Sequence, residues 1–248
     1  MLRAIRPLAA LQLFLLLMEQ RNDMRYLLYG VLGSAGRRKP PLPRGVAGER
    51  LFLVNNHRLS AAVSAIRSSD LVPTASRVWE YEKALESIYR RQAVVPLRYG
   101  TVFGHKRQLI GLLQERGRKY EALLRRIDGC VEMGIRAFLP RRPKRRGPAA
   151  HLSGAAYLTA QRERHAGEAR LALEQEITAK KISGFLSGLF RRCKREFGFL
   201  AGRRCLSLHF LVPKKALSDF RKRFVAIEAD QESELFLSGP WPPFNFVE

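Results

Sequence analysis

The spacing of apolar residues near the start of the chain predicts three short β-strands. Residues Arg25–Leu32 form a short apolar and aromatic run, which is typical of a buried strand. Leu51–Val54 is a second apolar run, and Leu59–Ala65 alternates apolar with smaller or polar residues. Residues 55–58 lie between these two runs and have the composition of a turn. The pattern therefore predicts a strand followed by a β-hairpin.

A helical pattern follows this hairpin. Thr74, which follows a proline, is a plausible N-cap, and apolar residues recur at helical spacing as far as Arg91. Residues 93–97 then predict another strand. The order β-β-β-α-β is that of a ferredoxin-like variant in which the Gly-, Pro- and Arg-rich loop 33–48 replaces one crossover helix.

The rest of the chain alternates helical and strand patterns. From about residue 158 to residue 200 the pattern is mostly helical, with a break expected near Gly184 and Gly188. The predicted elements, in order, are a helix at Lys106–Ile127, a strand at Cys130–Phe138, the helical stretch Leu158–Leu200, a strand at Leu206–Val212, a helix at Lys214–Ala226 and a strand at Leu235–Leu237.

These elements predict an α+β protein of two domains, which suits a chain of 248 residues. Residues 24–128 would form an N-terminal ferredoxin-like domain, and residues 129–248 a C-terminal α+β domain with long helices. The second domain would carry a basic loop at 139–150, where prolines and like charges oppose packing. It would end in an aromatic tail at 238–248, which its prolines keep extended.

The first 23 residues do not fit this pattern. Their apolar run, Leu8–Met18, follows two arginines as in a signal peptide, but no small-residue cleavage site comes after it. The run is also shorter than the ~20 residues that a membrane helix needs, so no stable membrane span is expected. Residues 1–23 are predicted to be a disordered extension or a mis-called start, with a short membrane-touching helix as the alternative.

The balance of charge favours anionic partners. With 45 lysines and arginines against 22 aspartates and glutamates, the formal net charge is +23. Such charge attracts nucleic acid, anionic membranes and acidic protein surfaces. Basic residues cluster at 141–146, 191–195 and 203–204, but no RNA-recognition or helix-turn-helix signature accompanies them. Binding of nucleic acid therefore stands as the less favoured alternative to binding of protein.

The chain offers little that a catalytic or metal centre needs. Its five histidines are scattered, and Cys130, Cys193 and Cys205 form no metal-binding spacing. The glycine-rich stretch 30–36 follows a strand, yet prolines and basic residues stand where a phosphate-binding helix would begin. We expect no catalytic residue, no cofactor and no metal. An odd number of cysteines without close spacing is simplest to place in a reducing cytoplasm.

Four segments of the chain carry a recognisable pattern, namely Tyr26–Val31, Val94–Phe103, Gly129–Arg136 and Ser238–Phe246. In this order they resemble the GvpL/GvpF family of gas vesicle proteins, and Val94–Phe103 is the most characteristic. Each motif alone is weak, but four in the right order over residues 24–248 are specific. Two features depart from the family, namely the strong positive charge and Phe244, where tyrosine is common.

The resemblance implies a minor gas vesicle protein, located at the gas vesicle and in the cytoplasm, that acts in vesicle assembly or nucleation. Its expected partners are the small hydrophobic shell protein and other gas vesicle accessory proteins. Unassembled shell subunits expose apolar surface and strand edges, and both promote aggregation. An accessory protein could limit premature aggregation by adding a strand or by offering an apolar groove.

The candidates for partner binding are Arg98, Tyr99, Phe103, Trp241, Phe244 and Phe246. The first three follow the predicted strand 93–97, where a loop would present them; alternatively, this segment only makes a turn and packs locally. The last three form an aromatic anchor in the tail. They either fix the tail to its own domain or form a binding hot spot, in which tryptophan and other aromatic residues are enriched.

Overall fold

The computed structural model describes residues 23–34, 41–138, 154–229 and 234–247. These residues form nine β-strands and five α-helices, which confirms the α+β class. They divide into two compact units: one contains the described residues up to Asp128 together with 242–247, and the other those of 129–241. The N-terminal segment predicted to be an extension lies outside the described residues except for Asp23, and the basic loop 139–150 lies outside them entirely.

The first unit is built on an antiparallel sheet with the predicted ferredoxin-like strand order. Its elements are β1 (Met24–Gly33), β2 (Leu51–Asn56), β3 (Leu59–Arg67), α1 (Ala75–Arg91), β4 (Val94–Pro96), β5 (Val102–Phe103), α2 (Lys106–Glu115) and α3 (Gly117–Ile127). The strands lie in the spatial order β2-β3-β1-β4, and β5 also pairs with β1. The described part of the connection from β1 to β2 contains a 3₁₀ turn at Val46–Gly48 instead of a crossover helix.

Local signals set the bounds of the helices in this unit. The N-cap expected at Thr74 is present, since its hydroxyl oxygen accepts a hydrogen bond from the Arg77 N–H at 3.2 Å. The single helix predicted for 106–127 is wrong, because the chain leaves helical geometry at Arg116 (φ −104°, ψ 10°) and separates α2 from α3. Gly117 follows the break, and glycine is a poor helix former.

The second unit has the complete ferredoxin-like order, which the sequence pattern did not reveal. Its elements are β6 (Cys130–Phe138), α4 (Gly154–Phe185), β7 (Arg192–Leu200), β8 (Arg203–Pro213), α5 (Leu217–Ala229) and β9 (Glu234–Trp241). The strands lie in the order β7-β8-β6-β9, and every neighbouring pair is antiparallel. The two units therefore share one strand order, and the second has a helix in both crossovers.

The prediction of a helical stretch as far as Leu200 is wrong in its last third. Helix α4 ends at Phe185, and Gly188 has φ +82°, in the left-handed region that glycine adopts readily. The chain then forms β7 and reverses at Ala201 and Gly202, with φ angles of 49° and 71°. Two central residues with positive φ are typical of the tight turns that join hairpin strands. Pairing with β8 thus overrides the helical propensity of Arg, Lys and Glu in this segment.

Helices pack against both sheets, and in the first unit they lie on the two faces, since consecutive residues of β1 from Leu27 to Leu32 are all buried. In the first unit, α1 and α3 pack against β1 and β4, and α2 packs against β2 and β3. In the second unit, α4 packs on β7 and β8, and α5 packs on β8 and β9. Phe210 is completely buried there, with ring centroids at 5.0 Å from Phe190 and 5.4 Å from Phe220. None of the described helices has the length and hydrophobicity required to cross a membrane.

The aromatic tail, predicted as part of the second domain, is divided between the two units. Residues 238–241 belong to β9, whereas residues 242–247 group with the first unit. Pro242 and Pro243 have no N–H group to donate to a neighbouring strand, so β9 ends at Trp241.

Candidate protein-binding surfaces

Three tyrosines connect the loop after β4 to the core of the first unit. Tyr29 on β1 and Tyr81 on α1 stack with ring centroids 4.7 Å apart. The ring of Tyr99 meets Tyr81 edge-on at 5.4 Å. Burial raises the pKa of all three phenols, so they remain neutral hydrogen-bonding groups at physiological pH.

The buried hydroxyl of Tyr81 satisfies backbone groups at an irregularity of β1. The register between β1 and β3 shifts between Leu28 and Gly30, and such a bulge disrupts the regular ladder of hydrogen bonds. The Tyr81 hydroxyl lies 3.0 Å from the carbonyl oxygen of Leu28, 3.2 Å from that of Tyr29 and 2.9 Å from that of Leu97. The Tyr81 phenol proton is therefore shared among three carbonyl oxygens, and this links β1 to the loop after β4.

The structure places Arg98, Tyr99 and Phe103 on and just after this loop. The Tyr99 hydroxyl donates to the carbonyl of Leu71 at 3.1 Å, and the side chain is half-buried. The Arg98 side chain is exposed, and its carbonyl accepts a hydrogen bond from the Thr101 N–H at 3.2 Å. Phe103 is half-buried in β5. Tyr99 is thus held mainly by its own unit, and Arg98 is the most exposed of the three.

The three aromatic residues of the tail differ in exposure. Trp241 is 48% exposed at the end of β9, opposite Glu132 of β6. Phe244 is half-buried, whereas Phe246 is only 2% exposed. Phe246 is therefore committed to intramolecular packing, and Trp241 is the tail residue with the most surface left for a partner.

Glu80 on α1 fixes the loop that precedes β2. Its carboxylate accepts hydrogen bonds from the Ala47 N–H at 2.8 Å and the Ser76 hydroxyl at 3.1 Å, and it lies 3.5 Å from the Arg77 guanidinium. Ala47 has φ 58°, which few non-glycine residues adopt. The Ala47 N–H is the main cause that lowers the pKa of Glu80; partial burial opposes it, and Ser76 and Arg77 lower the pKa further.

The variant Glu80→Gln is expected to lose part of the acid dependence of stability. Because the pKa of Glu80 is lower in the folded than in the unfolded protein, its contribution is present above the unfolded value and is lost as pH falls through the folded value. Urea denaturation between about pH 6 and about pH 3 should therefore show a steeper decline for the wild type than for the variant. Parallel declines would contradict this role of Glu80.

The end of the β7–β8 hairpin carries an exposed apolar cluster that the helical prediction concealed. Phe197 is 46% exposed, Phe199 is 72% exposed and Leu200 is 42% exposed. We name these three residues the hairpin-tip surface. They lie at the end of β7, which is an edge strand of its sheet. Clustered apolar exposure beside polar residues marks a site of interaction more often than scattered exposure does.

Basic side chains frame the hairpin-tip surface. Phe197, Phe199 and Arg195 alternate along β7 and therefore share one face of the strand, whereas Leu200 lies on the other face, next to the turn. The face with Arg195 is the one that α4 partly covers, since the Arg195 guanidinium lies 2.6 Å from the carboxylate of Glu176. The guanidinium carbon of Arg204 lies 5.6 Å from the centre of the Phe199 ring, within the range of a cation–π contact. The hairpin thus presents aromatic surface together with positive charge.

Glu132 and His209 of the second unit have each other as partners inside the fold. His209 Nδ1 lies 3.1 Å from Glu132 Oε1 on neighbouring strands of the second sheet. The three cysteines are free, and burial raises the pKa of the Cys193 thiol to about 11, which makes it a poor nucleophile. Across residues 23–34, 41–138, 154–229 and 234–247, no three His, Cys, Asp or Glu side chains are grouped so as to hold a metal ion.

Solved structures share this fold. The crystal structure of the gas vesicle protein GvpF from Microcystis aeruginosa matches with a TM-score of 0.74 and covers 90% of this chain and 99% of that one, at 15% identity. GvpF from Anabaena sp. matches with a TM-score of 0.72 and covers 91% and 96% of the two chains, at 16% identity. At these identities the matches establish the fold, and they define the class as α+β proteins built like GvpF.

Sequence relatives connect this fold to a family. Gas vesicle protein F2 of Halobacterium salinarum is 27% identical over 209 residues, which cover 82% of this chain and 83% of the relative. Gas vesicle protein F of Haloferax mediterranei is 26% identical over 210 residues, with coverage of 82% and 85%. The family described as gas vesicle synthesis protein GvpL/GvpF matches residues 25–248. The chain belongs to this family, as its four motifs predict, and its role is in gas vesicle formation.

Proposed function

We propose that the protein acts in gas vesicle assembly or nucleation by binding the hydrophobic shell protein and limiting its premature aggregation. Binding would take place in the cytoplasm, before shell subunits enter the vesicle wall, and other gas vesicle accessory proteins would be further partners. The observation that carries the proposal is the hairpin-tip surface: three large apolar side chains exposed within four residues of an edge strand.

The hairpin-tip surface combines the two features that a strand-rich hydrophobic partner needs. Apolar contact surface buries the partner's exposed side chains, at roughly 25 cal/mol per Å² removed from water. An edge strand offers unpaired backbone groups to an exposed strand of the partner. The same cluster would be an aggregation hazard in a neutral protein, and a net charge of +23 opposes association of like copies.

The proposal is tested with the double variant Phe197→Ser/Phe199→Ser, co-produced with the shell protein. Because aromatic side chains at a contact often act as hot spots, we expect the amount of shell protein that co-purifies with the double variant to be at least about tenfold lower than with the wild type. Aggregation of the shell protein, followed by light scattering, should begin earlier than with the wild type. Both residues are exposed, so the unfolding midpoint should change little.

The matched control removes an exposed aromatic side chain from the first unit. Trp79 on α1 is 56% exposed, and the Lys83 ammonium lies 4.9 Å from the centre of its ring. The amount of shell protein that co-purifies with the variant Trp79→Ser should lie within about twofold of the wild-type amount, as is usual outside a hot spot. Equal retention by the wild type and the double variant would rule out the hairpin-tip surface as the contact.

A further inference from the structure

The second sheet has a partly exposed face opposite to helix α5. Phe210 of β8 meets the ring of Phe220 of α5 at 5.4 Å, so α5 lies on the Phe210 side of the sheet. Met133 of β6 pairs with Phe210. Arg136, three residues further along β6, pairs with Phe236 of β9. Because side chains alternate between the two faces, Arg136 and Phe236 lie on the side away from α5, and both are exposed.

Two aromatic rings and a guanidinium group are in contact on this face. The ring of Phe138 in β6 meets the ring of Phe236 edge-on at 5.6 Å. The guanidinium carbon of Arg203 lies 4.5 Å from the centre of the same Phe138 ring, within the range of a cation–π contact. The Phe236 side chain is 49% exposed. We name Arg136, Phe138, Arg203 and Phe236 the sheet platform.

The sheet platform occupies only the end of this face nearest the β7–β8 turn. Glu132 and Leu211, which pair with each other toward the opposite end of the face, are buried. At the platform, the Arg203 guanidinium is held in place because it lies 2.6 Å from the Glu234 carboxylate. A plane that is fixed before binding lowers the entropy cost of stacking a ligand on it. The platform is therefore suited to a few flat groups.

The charges on this face favour an anionic ligand that also carries hydroxyl donors. Arg136 and Arg203 are cationic, and the net charge of +23 attracts polyanions. Of the carboxylates on the same face, Glu234 is paired with Arg203, whereas Glu196, opposite Ser207, has a side chain that is 66% exposed. A carboxylate accepts hydrogen bonds, and a ribose 2′-hydroxyl is a donor that DNA lacks. Nucleobases, in turn, stack on aromatic rings and on guanidinium planes.

We infer that the sheet platform binds single-stranded RNA. One base stacks on the exposed ring of Phe236, and a second stacks on the guanidinium plane of Arg203. Arg136 contacts a phosphate, and Glu196 accepts a hydrogen bond from a 2′-hydroxyl. RNA-recognition motifs likewise stack two or three bases on aromatic residues of a four-stranded sheet, but a shared fold does not define a function, so the assignment to RNA depends on these side chains. The two phenylalanines of the hairpin-tip surface lie on the other face of the sheet, so RNA binding does not depend on the binding of shell protein.

The first test measures the binding of a fluorescent uridine octamer to the full chain by fluorescence anisotropy. Phe236→Ser should weaken binding at least about tenfold, because a ring on which a base stacks is lost. Phe236→Tyr keeps a ring and should bind within about twofold of the wild type, as should Phe199→Ser, which removes an exposed ring from the other face. Phe236→Ser should still co-purify with shell protein, which shows that it folds. Equal binding of the octamer by the wild type and Phe236→Ser would overturn the inference.

Two charge variants distinguish a phosphate contact from the effect of net charge. Each phosphate contact to a single strand contributes about 0.7 to the slope of log affinity against log salt concentration. Arg136→Gln should therefore reduce this slope by about 0.7. Arg118→Gln removes the same charge from an exposed position on α3 and should leave the slope unchanged. Equal slopes for the two variants would contradict a phosphate contact at Arg136.

Two competitors define the class of ligand. A deoxyuridine octamer lacks the 2′-hydroxyl groups and should bind about tenfold more weakly than the uridine octamer. A peptide of eight glutamates carries negative charge without bases and should also bind at least about tenfold more weakly. If the peptide bound as tightly as RNA, the surface would be a site for acidic polypeptides. That result, or equal affinity for the deoxyuridine octamer, would overturn the assignment to RNA.

Discussion

Replacing Tyr81 by alanine is expected to lower the free energy of unfolding by about 3–5 kcal/mol, the range for removal of a large buried aromatic side chain. The ring is 2% exposed and stacks on Tyr29 at 4.7 Å. Its loss would also leave carbonyl groups at the β1 bulge without the phenol donor. Chemical denaturation followed by circular dichroism measures the change.

The variant Tyr81→Phe isolates the hydroxyl group from the ring. It keeps the stacking and removes only the proton shared by three carbonyl oxygens, so a loss of about 1–3 kcal/mol is expected. Tyr99→Phe is the matched control, because it removes a single hydrogen bond, to Leu71, at a half-buried position. If Tyr81→Phe costs no more than Tyr99→Phe, the Tyr81 hydroxyl does not organise the bulge.

Replacing Phe210 by alanine should destabilise the second unit by about 3–5 kcal/mol. Phe210 is 0% exposed and lies between Phe190 and Phe220, so the truncation leaves a cavity and removes two edge-to-face ring contacts. The matched control is Phe199→Ala in the neighbouring strand, where a 72% exposed ring contributes little to the core. Its expected effect lies within about 0.5 kcal/mol.

This pair of variants distinguishes a residue that stabilises the fold from one that is available to a partner. A loss of stability at Phe199 as large as that at Phe210 would mean that the hairpin tip is part of the core. It would then be unsuited to bind another protein.

Elements with strong local signals could be predicted from the sequence. Helix α1 begins after Thr74 and ends at Arg91 as expected, because Thr74 provides the N-cap and the apolar period is clear as far as Arg91. Strand β6 was predicted with its observed bounds, Cys130–Phe138, because the alternation of apolar and other residues is regular there. The strand order of the first unit followed from the order of these elements.

Strand β7 could not be predicted because its conformation depends on a distant partner. Residues 192–200 are rich in Arg, Lys and Glu, which are good helix formers, and they become a strand only by pairing with β8. The sequence contains one signal for this strand, namely Ala201-Gly202, a plausible hairpin turn between two segments in which apolar and other residues alternate. When residues 192–200 are interpreted as part of a helix, the ferredoxin-like strand order of the second unit cannot be predicted either.

The candidate surfaces illustrate the same limit. The sequence singled out Tyr99 and Phe246 as aromatic residues in characteristic motifs, but it carries no measure of exposure. In the structure, Tyr99 is tied to Leu71 and Phe246 is buried, whereas Trp241 and Arg98 retain exposed side chains. Their part in partner binding stays a prediction. The exposure of Phe197 and Phe199 follows from their position in the edge strand β7, which was not predicted from the sequence.

The most direct test of the account is site-specific photo-crosslinking in cells that form gas vesicles. A photoreactive phenylalanine analogue replaces Phe199 in one experiment and Trp79 in another, since both side chains are well exposed. The account predicts a crosslinked product that contains the shell protein from position 199 and little or none from position 79. Crosslinks to the shell protein from position 79 alone, or from neither position, would contradict it.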